Sequence, residues 1–231
     1  MAALSWLRGH WQLLALTALV VALWDTRAIL PLKLLTVFLH ELSHGLAAWL
    51  TGGEVVSFDL TPDQGGTALT RGGNRTAILS AGYLGSLACG AALLLTSLNS
   101  RADRAVTAAL GLGLIAITLV YMRGLFPMGF GLATGTALLA ISRFLPHQAS
   151  DLVLRLIGLT SLIYVPLDIF SDTIARAHLR SDAAMLADHL GGGTRAWGGL
   201  WLALSLATIA LCLRYGLGPT SNLPLPTRKR R

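Results

Sequence analysis

Residues 29–53, ILPLKLLTVFLHELSHGLAAWLTGG, decide how the chain is read. The segment Ile29–Leu50 reaches the ~20 residues that a membrane-spanning helix needs, yet it carries His40, Glu41 and His44 near its middle. Ionisable groups at membrane depth are costly and mark functional sites. At about 100° per residue, His40 and His44 share one helix face, one turn apart, with Glu41 beside them. Two imidazoles so placed can hold one Zn²⁺, and the glutamate can act as base on a water at the ion. Such a centre needs a third protein ligand and one open coordination position. The competing reading is a set of structural polar pairs inside a bundle; the HExxH spacing at membrane depth favours the metal.

The rest of the chain places this segment in a membrane. Of its 231 residues, 54% are hydrophobic and 13% charged, with a mean hydropathy of +0.64; soluble domains carry about 25% charged residues. Apolar stretches run over Trp11–Trp24, Ile29–Leu50, Ala77–Leu98, Ala105–Met122, Leu125–Phe144, Leu152–Asp168 and Trp197–Leu213. They predict an all-α polytopic bundle of about 6–7 transmembrane helices, one membrane domain over residues 1–231 embedded in the lipid bilayer. The first stretch reads as a retained helix, because Trp24-Asp25-Thr26-Arg27 offers no small-residue cleavage site. The net charge of +7 is densest in Arg228-Lys229-Arg230-Arg231, at the end of a basic tail over residues 215–231. Beside a helix end that pattern marks the cytosolic side, not a nucleic-acid partner. Cys89 and Cys212 lie in apolar runs and read as small buried hydrophobes.

Between Thr51 and Arg75 the helical pattern breaks. Val55–Leu60 is β-prone, Pro62-Asp63-Gln64-Gly65-Gly66 is a turn, and Thr67–Thr70 returns, with Gly52-Gly53 and Gly72-Gly73 as brackets. A small β-hairpin is therefore expected over residues 51–75, at one membrane face. The next segment carries Ala81/Gly85, Gly82/Ser86 and Ser86/Gly90, a stripe of small residues suited to close helix packing. Residues 171–195 read as an interfacial connector, in which Ser181-Asp182 looks like an N-cap for a short amphipathic helix ending at Gly191.

For the third ligand, His10, His147, His178 and His189 fall in loops or amphipathic connectors, where solvated histidines are ordinary. Asp25 and Asp151 sit at helix ends, and Lys33 reads as a snorkelling anchor. Asp168, in SLIYVPLDIFSDT, ends an apolar run, and Pro166 is expected to break or kink the helix there and aim the carboxylate inward. Asp172, one turn on, is the rival; it could instead hold a ligand in place or cap the helix.

HELSHGLAAWLTGGEVVSFDL, GGTALTRGG, SAGYLGS, YVPLDIFSD and SDAAMLADHLGGG together resemble the site-2 protease family of intramembrane zinc metalloproteases, and most closely its compact bacterial, M50B-like branch. The resemblance implies one zinc per chain held by His40, His44 and Asp168, with Glu41 as catalytic base. It further implies hydrolysis of peptide bonds in or near transmembrane segments of protein substrates, in the bacterial cytoplasmic membrane. The chain departs from the family pattern at two places. Leu167-Asp168-Ile169 replaces the usual Leu-Asp-Gly, and Gly82-Tyr83-Leu84-Gly85 replaces the Gly-Pro and Asn signature of the neighbouring helix. In the family the hairpin lies on the cytosolic side; a cytosolic tail then requires an even number of crossings after Arg75, whereas five apolar segments follow. Either Leu125–Phe144, interrupted by Pro127, Gly129 and Gly131, is re-entrant, or the hairpin faces outward.

A metal- or proton-binding membrane transporter and a catalytically idle membrane adaptor with a retained zinc site are the alternatives. A transporter predicts ionisable residues along a path, and Ala77–Leu98 and Ala105–Met122 contain none. Nothing in the sequence sets the oligomeric state.

Overall fold

Local signals set the ends of the helices. The computed structural model describes residues 2–223. In it α1 spans Ala2–Ala22 and α2 Leu30–Leu50. Pro31 lies in the first turn of α2, where its missing N–H costs no hydrogen bond. The hairpin follows as predicted, β1 Glu54–Leu60 paired antiparallel with β2 Gly66–Arg71, with one irregularity between Val55 and Ser57. Asn74 caps α3 (Arg75–Asn99) by accepting from the Ala77 N–H at 3.0 Å. Then come α4 (Asp103–Tyr121), α5 (Leu125–Phe144), α6 (His147–Phe170) with a π-helical turn at Ser171–Ala175, α7 (Asp182–Leu190) and α8 (Thr194–Gly216).

Five of these helices, namely α3, α4, α5, α6 with its π-helical turn, and α8, are long and apolar enough to cross a membrane. The chain is an integral membrane bundle carrying a small two-stranded sheet. Leu125–Phe144, for which a re-entrant segment is one of two readings of the sequence, is an unbroken 20-residue helix. Pro127 falls in its first turn, and Gly131 and Gly135 let it close on Thr118 and Gly111 of α4. Pro166 does not break α6 either; the irregular turn begins five residues later, at Ser171. With an odd number of long helices after the hairpin, the hairpin and the end of α8 lie at opposite ends of the bundle. The Asn99 side chain, at the end of α3, donates to the Gly216 carbonyl at 3.1 Å, as that arrangement requires.

The stripe of small residues on α3 serves close packing. A Cβ at Gly85 would collide with Ser43 of α2, and one at Gly90 with Ser161 of α6. Around this junction Leu35, Phe38, Leu154 and Ile157 are buried with Phe58 and Leu60 of β1, while Tyr83, Leu87, Leu94, Val165, Ile169, Leu186 and Trp201 form a second buried group. Packing of Phe58 and Leu60 pins the hairpin onto α2: a Cβ at Gly45 would meet the Phe58 ring at 2.5 Å.

At the far end, residues 219–223 are fastened to α1. The Ser221 N–H donates to the Gly9 carbonyl at 2.9 Å, and the Leu223 N–H to Gln12 Oε1 at 2.7 Å. Arg155, buried in α6, holds both Asp151 and the Ser221 carbonyl. His10, expected to be solvated, is buried with its Nδ1 2.9 Å from Ser221 Oγ. Arg228–Arg231 lie outside the described residues.

Candidate metal centre

The helical spacing of His40 and His44 brings their rings to 4.7 Å between centroids, at 75° to each other. Their Nε2 atoms converge on one carboxylate oxygen, Asp182 Oδ2, at 3.0 Å from His40 and 3.1 Å from His44. These three ligand atoms lie within 4.8 Å of one another. Asp182 is the first residue of α7, whose start is fixed by Ser181: its Oγ accepts from the Ala184 N–H at 3.3 Å. Fully buried Ala183 and Leu186 seat that helix in the second core group, beside Tyr83 and Trp201.

Asp168, expected as the third member, does not join this group. It lines the same cleft and its charge acts on His40, but it lies outside the cluster of converging atoms. With α6 continuous through Pro166, no break turns its carboxylate onto the imidazoles. Asp172 is otherwise engaged, accepting from the Tyr83 hydroxyl at 2.9 Å and from Arg176 at 2.7 Å. The structure therefore brings together His40, Glu41, His44 and Asp182, and places Asp168 beside them.

The donor set fits a divalent cation. His44 Nδ1 lies 2.6 Å from the Ile78 carbonyl, an acceptor only, so Nδ1 carries the proton there. Nε2 faces the Asp182 oxygen at 3.1 Å, a contact that a proton bridges when the ring is charged and that a metal cation bridges when the ring is neutral. The carbonyl thus fixes the tautomer and the ring orientation that ligation needs. Burial pushes the Asp182 carboxyl up, but with both rings protonated, hydrogen bonds from His40 and His44 and their charge outweigh it and hold the group well below the usual carboxylate range.

Two glycines complete the site. A Cβ on Gly82 would collide with the Nε2 atoms of both histidines, and one on Gly66 with the Glu41 carboxyl and Val37. α3 and β2 can approach the site closely only because both positions lack a side chain. Tyr83 presents its ring edge-on to His40, 4.8 Å between centroids. The Ala68 N–H of β2 is turned toward the buried Glu41 carboxylate. The cleft that holds these groups has a volume of about 1080 Å³ and is walled by α2, the β2 side of the hairpin, α6 and the start of α7.

Sequence reasoning passed over Asp182, Gly82, Gly66 and Ile78 as members of the site. Asp182 stood in a segment read as an interfacial cap, and the glycines in a packing stripe and a turn. Comparison with protein families matches residues 13–212 to the family described as Peptidase M50B-like. No curated protein and no solved structure matches the chain.

Proposed function

The chain belongs to the Peptidase M50B-like family, and on that premise we propose that it is a zinc-dependent endopeptidase of the bacterial cytoplasmic membrane that cuts membrane-protein substrates in or near their transmembrane segments. The observation that carries this reading is the convergence of His40 Nε2, His44 Nε2 and Asp182 Oδ2 beside Glu41 in one large cleft. His40, His44 and Asp182 would hold the ion. When bound, zinc lowers the pKa of water toward ~7 and polarises a carbonyl.

Each other step falls to a residue of the chain. Glu41 adjoins His40 on the ligating helix, so it takes the proton of the attacking water and delivers it to the leaving amine. The carboxylate is buried, with the Ala68 N–H facing it. The Ile78 carbonyl keeps His44 in the tautomer that ligates. A substrate helix must first unwind, because its carbonyls are engaged and shielded. β2 lines the cleft with its outer edge unpaired in the two-stranded sheet, and an unwound segment can add there as a third strand.

Purified protein is expected to carry about one zinc per chain. Glu41→Gln should keep the zinc and lower hydrolysis by about 10²–10⁴-fold. Full activity in Glu41→Gln would remove the base assignment. Absence of turnover in both proteins, with zinc bound, would favour an idle adaptor.

A further inference from the structure

Lys33 differs from the other cations of the cleft. Arg75, Arg176 and Arg180 are exposed at its rim, and Arg176 is paired with Asp172. Lys33 is only 8% exposed and lines the cleft. Its Nζ rests 4.2 Å from the centroid of the Trp24 ring. Among the described residues it has no hydrogen-bond or ion-pair partner; exposed Asp25 acts on it only from a distance. Leaving a buried cation unpaired is costly, and here an apolar wall of Trp24 and Tyr164, 6.2 Å between ring centroids, adjoins it. The cation therefore attracts an anion more strongly than a solvated lysine would.

Its position relative to the metal centre gives this attraction a use. Lys33, Val37, His40, Glu41 and His44 all line the cleft, and their spacing puts them on one face of α2. Seven residues of helix separate Lys33 from His40 by about 10.5 Å along the axis. An extended peptide covers that span in about three residues at ~3.3 Å each. We propose that Lys33 binds a carboxylate of the substrate, about three residues from the bond that is cut, and so sets where the enzyme cuts. The carboxylate is either a chain's C-terminus or an Asp or Glu side chain. This inference rests on the peptidase reading of the site.

The test uses full-length protein in detergent, loaded with zinc, and alanine/leucine peptides in two pairs. One pair ends in a free acid or an amide; the other carries one internal Glu or Gln. Cleavage rates and cut positions are read by mass spectrometry. Binding is read separately by fluorescence anisotropy on Glu41→Gln, which needs no turnover. A charge-assisted contact predicts about tenfold to a hundredfold tighter binding and faster cleavage of the acid member, with the cut about three residues from the carboxylate. Discrimination in the first pair alone identifies a chain end, and in the second alone a side chain. Lys33→Gln should bring the ratio close to one, and Lys33→Arg should keep it. A wild-type ratio near one in both pairs, failure of both acid peptides to bind, or a ratio that survives Lys33→Gln overturns the assignment. If Lys33→Gln does not fold, Lys33→Met takes its place and is read in the same way. Discriminating binding without turnover keeps Lys33 and removes the peptidase reading; turnover without discrimination does the reverse.

Discussion

Gly82 and Gly66 act on the site through what they lack. A methyl group on Gly82 meets the Nε2 atoms of His40 and His44, so Gly82→Ala should displace both rings and lower zinc affinity about 10–100-fold, as loss of a supporting contact does. Titration with a competing chelator measures it. A methyl group on Gly66 meets Glu41 instead, so Gly66→Ala should leave zinc content unchanged and lower kcat by at least about tenfold, within the range of losing a general base. Parallel loss of metal in both variants would mean that the two glycines support one packing unit rather than two separate functions. The HExxH pair was legible in the sequence because its meaning lies in local helical spacing. Asp182 was not, because it lies 142 residues from His40 and flanking hydrophobicity carries no information about which distant acid meets it. Asp168 stands out in the sequence for its apolar neighbours, among which a lone charge is costly. Buried Ala183 and Leu186 supply the same burial for Asp182, but on a short helix whose pattern reads as amphipathic.

Among the elements, the hairpin and α5 carry the clearest consequences. Successive N–H groups of an antiparallel strand alternate between its partner and its outer side. With the Ala68 N–H turned to Glu41, the Gly66 and Thr70 N–H groups share that outer side. Thr70→Pro removes one outer donor and no ladder bond, a change that edge strands tolerate. It should reduce kcat/KM for a transmembrane substrate about 2–10-fold, the value of one hydrogen bond, at unchanged zinc content. Unaltered cleavage would show that the substrate does not add to β2. The strands themselves were legible from β-prone residues between paired glycines. The continuity of α5 was not, since Pro127 and the glycines read as breakers; their compatibility depends on the first-turn position of the proline and on how closely α4 approaches.

For the whole molecule, sidedness follows from the odd number of long helices between the hairpin and Gly216. With the basic tail on the cytosolic side, the prediction is a cleft that opens on the opposite face of the membrane. Single cysteines at exposed Asp63 and Ser100, in a Cys89→Ala, Cys212→Ala background, should label from opposite sides of sealed vesicles, with Ser100→Cys on the cytosolic side. Labelling of both from one side would contradict the odd number of crossings. The candidate metal centre joins α2 to the first residue of α7, two distant parts of the chain, and one comparison tests it most directly: zinc per chain by elemental mass spectrometry in the purified wild type, Asp182→Asn and Asp168→Asn. The geometry predicts about one zinc in the wild type and in Asp168→Asn, and a marked loss in Asp182→Asn. Retained zinc in Asp182→Asn with loss in Asp168→Asn would contradict it.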